Sequence, residues 1–112
     1  MFEAKLEFVL KMIDDINFII KRHGYITKAL EDREGQLAIL MALLQIGETL
    51  NKIDASTLKK YDLLNDAKGA YSVRNFIAHD YEGVKLSVIE NILRYNLPAL
   101  KNKIKKTLED NK

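Results

Sequence analysis

The sequence predicts an all-α protein: an antiparallel four-helix bundle of the up-down type with a kinked last helix, its 112 residues forming one domain. Three observations predict it. Apolar residues recur at steps of three and four over long stretches, the spacing that lines one face of a helix. One Pro and five Gly leave those stretches almost uninterrupted. The chain is 47% hydrophobic and 30% charged, ordinary for a soluble globular chain with a modest core.

The first helix is carried by Phe2, Leu6, Val9, Ile13, Ile16 and Ile20, with Leu10 and Phe18 widening the stripe. Asp14 and Asp15 lie off it and should be solvated. The run ends at Lys21-Arg22-His23-Gly24: cations in the last turn, where they complement the helix dipole, then a Gly suited to a left-handed cap. His23 is read as stabilising that helix end rather than as catalytic. After a turn, Thr27 or Asp32 is the N-cap of a second helix.

From Gln36 to Gly47 nearly every residue is apolar, so this second helix should be buried on most sides. In a chain this small, a second subunit could bury one of those sides. Glu48 stands just past the run. It is either a surface acid paired with Lys52 or a supporting residue that orders Arg74 or His79. Asn51 to Asn65 reads as a loop with a short helical turn. Asp66 is the expected N-cap of a third helix over residues 67–78, with Ala70, Val73 and Ile77 inward and Phe76 packed there or at a subunit contact. Gly83 opens the last segment, where Val84, Val88, Ile92, Leu93, Leu97, Leu100, Ile104 and Leu108 sustain a helical period. Pro98 lacks an amide proton and clashes with the preceding turn, which predicts a kink or a new helix start. Lys101, Lys103, Lys105 and Lys106 are read as a solvated basic end rather than as phosphate contacts.

Several function classes drop out. Zero Cys excludes disulfides, thiolate zinc sites and Cys nucleophiles, and fits a cytoplasmic location. The residues three before His23 and His79 are Ile20 and Phe76, so the Glu-x-x-His signature of a carboxylate-bridged di-iron bundle is missing. There is no phosphate-binding Gly loop and no dinucleotide fingerprint. Ser72, His79 and Asp80 have the residue types of a hydrolase triad, but no nucleophile elbow surrounds the Ser. No metal or cofactor is expected. The start, Met1-Phe2-Glu3-Ala4-Lys5, is not a signal peptide, and the longest uncharged stretch, residues 36–47, is too short to span a bilayer. A net charge of +2 and a pI near 8.8 are compatible with nucleic acid without arguing for it.

The chemistry concentrates in Tyr71-Ser72-Val73-Arg74-Asn75-Phe76-Ile77-Ala78-His79-Asp80-Tyr81. Its polar members spell Arg-x-x-x-x-His-x-Tyr, with Asn75 directly after the Arg. Cutting RNA without a metal needs a group that moves protons on and off the 2′-hydroxyl and the leaving oxygen. His79 suits that role, since an unperturbed imidazole titrates near ~6.5. It also needs a cation that holds the phosphate as charge builds, and the planar, permanently charged fork of Arg74 suits that. Asn75 could donate to the same oxygens or fix the imidazole tautomer. Five residues on a helix turn through about 500°, which leaves Arg74 and His79 about 140° apart. Either the helix ends between them, or another segment or a second subunit completes the site.

This stretch resembles the signature of the HepT-like branch of the HEPN (higher eukaryote and prokaryote nucleotide-binding) superfamily. Arg74, Asn75, His79 and Tyr81 fill its named slots, while Asp80 falls in the free one. Two further features are similar: Ile46-Gly47-Glu48-Thr49-Leu50 and Asn96-Leu97-Pro98-Ala99-Leu100. The likeness spans essentially the whole chain. It implies a small four-helix toxin acting as a metal-independent endoribonuclease, with two copies of the motif meeting in the cleft of a homodimer. His79 would be general acid or base, Arg74 would bind the scissile phosphate, and Asn75 would orient His79 or the phosphate. The 2′-hydroxyl would attack, leaving a cyclic phosphate. The resemblance also implies a partner, an antitoxin of the minimal nucleotidyltransferase (MNT) type that adds AMP to Tyr81. A simpler role for Tyr81 is a hydroxyl that caps the helix end. The alternative to an enzyme is a non-catalytic helical dimer that binds a nucleotide or a partner nucleotidyltransferase.

Overall fold

A computed structural model describes all 112 residues, and every regular element in it is helical. The elements are α1 (Phe2–His23), α2 (Ile26–Glu31), α3 (Arg33–Asn51), α4 (Ala55–Lys60), α5 (Leu64–His79), a single 3-10 turn (Tyr81–Gly83), α6 (Leu86–Asn91) and α7 (Leu97–Asp110). A π turn over Ile92–Asn96 joins α6 to α7, so residues 86–110 run as one helix with an irregular middle. No helix is long and apolar enough to cross a membrane.

Helix α3 is central, with α1 packed on one side and α5 on the other. Its inward residues Ile39, Leu40, Leu43, Ile46 and Leu50 join Leu6, Val9, Ile13 and Ile16 of α1 in one contiguous apolar core. Phe18 does not widen the α1 stripe. It lies two residues, about 200°, beyond Ile16 and is 65% exposed. The end of α1 follows the sequence: Gly24 takes φ 103°, and its amide donates to the Lys21 carbonyl. His23 lies 2.8 Å by Nδ1 from the Ile19 carbonyl and 3.2 Å by Nε2 from Asp32, fastening the end of α1 to the start of α3.

Asp32 is the N-cap of α3 and accepts from the Gly35 amide at 2.8 Å. That amide, and after it the His23 ring, holds the Asp32 carboxyl below its usual value. Thr27 is not a cap for this helix; it lies inside the short α2. The expected loop at 51–65 contains α4, capped by Asp54, with Ile53, Leu58 and Leu63 buried beneath it. Ser56 and Thr57 donate to the Asp54 carboxylate, which lowers its pKa. Asp66 is not the cap of α5, which starts earlier, at Leu64. Its carboxylate instead takes the Lys103 ammonium at 2.9 Å and holds it above its ordinary pKa. Lys101 likewise meets Asp14 at 3.1 Å, so half of the basic C-terminal cluster is paired within the chain.

The last helix departs from the expected stripe. Its buried apolar side chains are Ile89, Leu93, Leu97, Leu100 and Ile104, whereas Val88 is 52% exposed. Two successive steps of four residues drift by about 80° in a regular α-helix. The wider π turn, just before Pro98, absorbs that drift and keeps Ile89 in line with Leu97.

Candidate active site

The site begins where α3 and α5 come closest. A Cβ on Gly47 would lie 2.4 Å from the Ala70 carbonyl oxygen and 2.7 Å from Cβ of Arg74, so only glycine permits this approach. The next residue, Glu48, is thereby set against Arg74. Its Oε2 accepts from Nε of Arg74 at 2.8 Å, with both side chains about one-quarter to one-third exposed (26% and 31%). Glu48 thus pairs with Arg74 and not with Lys52. Nη1 of Arg74 donates to Oδ1 of Asn75 at 3.0 Å, and the guanidinium lies 5.6 Å from the centre of the Tyr71 ring. A carboxylate, an amide and an aromatic face hold one cation, whose Nη2 stays outside both hydrogen bonds.

Tyr71 opens the polar stretch, yet residue type and motif spacing alone give it no role. A signal was present all the same, since residues three apart on a helix are neighbours and an aromatic three before an Arg can flank it.

Helix α5 continues through His79, so it does not end between Arg74 and His79. The two therefore stay about 140° apart around one axis, and a single chain does not converge them. His79 is the last helical residue and is exposed. Asp80 breaks the helix at φ −146°, ψ 63°, and its carboxylate accepts from the Gly83 amide at 3.2 Å. Asp80 thus closes the 3-10 turn that carries Tyr81, which is a structural role. The Tyr81 ring packs on the core, and its hydroxyl is buried with no hydrogen-bond partner. The hydroxyl is therefore not a helix cap. No three His, Asp or Glu side chains gather as a metal site would require.

Residues 9–107 match the family described as Ribonuclease HepT-like. The chain belongs to the HepT-like ribonuclease family. With that membership it is an endoribonuclease. Two proteins of Methanocaldococcus jannaschii, named "Putative RNase MJ1216" and "Putative RNase MJ0125", are each 26% identical to it over 108 residues. The alignments cover 96% of this chain and 88% and 91% of theirs. No solved structure matches the chain.

Proposed function

We propose that this chain is the toxin of a type II toxin–antitoxin pair and cuts RNA without a metal, through Arg74, Asn75 and His79. The observation that carries the reading is the contrast between a guanidinium fixed by Glu48 and Asn75 and an exposed His five residues on. His79 acts as general acid or base on the 2′-hydroxyl or the leaving oxygen. Arg74 binds the scissile phosphate and stabilises its added charge, and Asn75 orients the guanidinium. The 2′-hydroxyl attacks phosphorus, the 5′-oxygen leaves with a proton, and a cyclic phosphate remains. DNA, lacking that hydroxyl, is not cut.

The chain works as a homodimer in the cytoplasm, residues 1–112 acting as one domain with α1, α3, α5 and the 86–110 helix as the rods of an up-down bundle. Dimerisation supplies what one chain lacks, because Arg74 of one copy and His79 of the other can face a single phosphate. Support comes from an outward stripe on α3: Leu37, Met41, Leu44 and Glu48 recur at steps of four, three and four. Leu37 is 42% and Met41 55% exposed, with Phe18 of α1 close by. A second copy covers that stripe and brings Glu48 and Arg74 to the seam.

The antitoxin is an MNT-type nucleotidyltransferase that silences the toxin through Tyr81. The phenol oxygen attacks the α-phosphorus of ATP, the phenolic proton is lost, and pyrophosphate leaves. The bound AMP repels substrate phosphate and occupies Arg74. The buried position of the hydroxyl requires the 3-10 turn to open first.

The test is RNA cleavage by the purified chain and its His79→Ala variant, with chelator present and the protein weighed by mass spectrometry. Cleavage should survive the chelator and fall by roughly 10²–10⁴-fold in the variant. An unmodified, dimeric chain that leaves every RNA intact would replace the enzyme with a module that binds a nucleotide or a nucleotidyltransferase.

A further inference from the structure

The α5 side chains follow one another around the helix in a telling order. Taking Arg74 as zero, Asn75 lies at about 100°, His79 at about 140° and Phe76 at about 200°. His79 therefore sits between the phosphate-holding side chains on one flank and an exposed aromatic on the other. Beyond Phe76 the surface falls into a groove of about 420 Å³ between α5 and α6, floored by Ile77, Val84, Val88 and Ile89 with Lys85 beside them. Phe76 and Val88 are each 52% exposed, and Lys85 is exposed too.

We propose that this groove is a nucleobase subsite, in which the base next to the cleaved phosphodiester stacks on Phe76 while Lys85 meets a flanking phosphate. The proposal rests on the reading of His79 given above. Three features favour a base as the occupant. The lining is almost wholly apolar, and the Ser72 hydroxyl already donates to the Lys68 carbonyl at 3.1 Å. Such a pocket offers a π-face without donors or acceptors to read a base edge, so it grips any base. The cation beside it matches the phosphate that every base carries with it. Finally, an irregular turn borders the groove: the π turn begins at Ile92, one of the lining residues. Such turns within α-helices recur at functional sites.

A second copy of the chain fits this groove less well. Stable interfaces bury about 800 Å² per partner. The groove exposes two large apolar side chains, whereas the stripe through Leu37 and Met41 extends over two helices.

The subsite is tested by titrating the full-length protein with adenosine 5′-monophosphate and, separately, with ribose 5-phosphate, following the Phe76 ring by NMR. Cleavage of an oligoribonucleotide and the oligomeric state are measured on Phe76→Ala, Phe76→Trp and Val88→Trp. Phe76 is half-exposed, so its substitution should leave the fold intact. The base-bearing nucleotide should shift the ring and ribose 5-phosphate should not. Phe76→Ala should lose that binding and raise KM roughly tenfold, Phe76→Trp should retain both, and Val88→Trp should block the groove. Equal shifts from both probes, no shift at millimolar nucleotide, or an Ala variant that turns monomeric would each overturn the subsite. The nucleotide titration needs no turnover. A chain whose cleavage survives His79→Ala would therefore defeat the catalytic reading while leaving the base-binding result to stand on its own.

Discussion

Arg74 is held from three sides, by Glu48, Asn75 and the Tyr71 ring, on the stretch of α5 that lies against α3. His79, five residues later, is exposed at the end of the same helix, and the turn beyond it buries a Tyr81 hydroxyl that nothing pairs. The difference follows from what each group can do. Arg keeps its charge at any physiological pH, so fixing it beforehand removes a reorganisation cost at the moment charge builds on a phosphate. An imidazole acts by changing its proton, and a ring locked into an ion pair would titrate away from neutrality. On the function proposed above, one half of the motif serves position and the other proton transfer.

The largest blow to this contrast is a single methyl group at the fixed half. In Gly47→Ala the new Cβ would stand 2.4 Å from the Ala70 oxygen, which belongs to backbone and cannot swing aside. Helices α3 and α5 must separate, and overpacking of this kind costs about 1–3 kcal/mol. Urea denaturation should show that loss, with RNA cleavage falling alongside it because Arg74 moves with α5. Unchanged stability would mean that the close approach is not maintained in solution.

Glu48→Gln sharpens the same contrast more gently. It keeps the shape of the side chain and removes its charge. The pair is partly exposed, so its contribution to stability should be small, about 0–1 kcal/mol. Its effect on cleavage should be larger, roughly tenfold in kcat, since small misplacements of a phosphate-holding group are felt in the transition state. The two readouts should thus separate. A melting temperature that falls in step with activity would make Glu48 a purely structural residue. Faster cleavage would make it a competitor that the substrate phosphate has to displace.

How far each feature is legible in the sequence depends on its length scale. The α1 stripe from Leu6 to Ile16 and the Gly24 cap can be read directly, because long periodic runs and a left-handed glycine leave strong signals. Helices α2 and α4, six residues each, are too short for periodicity to register and read as turns. Val88 falls on the expected stripe through its steps of four from Val84 and to Ile92, yet in a regular helix it lies about 120° from Leu100 while Ile89 lies about 20° from it, so the longer run already favours Ile89. The polar residues of the motif stand out by type and spacing. What spacing cannot supply is their partners: that Glu48 reaches Arg74 depends on how closely α3 approaches α5, a tertiary fact that Gly47 permits but does not announce.

The smallest effect is expected at the untied end, and its sign is the informative part. A tyrosine hydroxyl taken out of water without a partner loses hydrogen bonds that the protein does not return, so Tyr81 carries an energetic penalty in the closed state. Tyr81→Phe removes the hydroxyl and keeps the ring that packs on the core. The variant should therefore be more stable than the parent, by about 1 kcal/mol, in thermal or urea unfolding. Hydrogen exchange at residues 80–85 should slow with it, since the same hydroxyl favours opening of the turn. Most Tyr→Phe changes at hydrogen-bonded sites shift stability the other way, so a loss would show that the hydroxyl has a partner in solution. A gain would mark the turn as poised to open, which is the movement that attachment of AMP to Tyr81 would need before the phenol oxygen could reach a nucleotide.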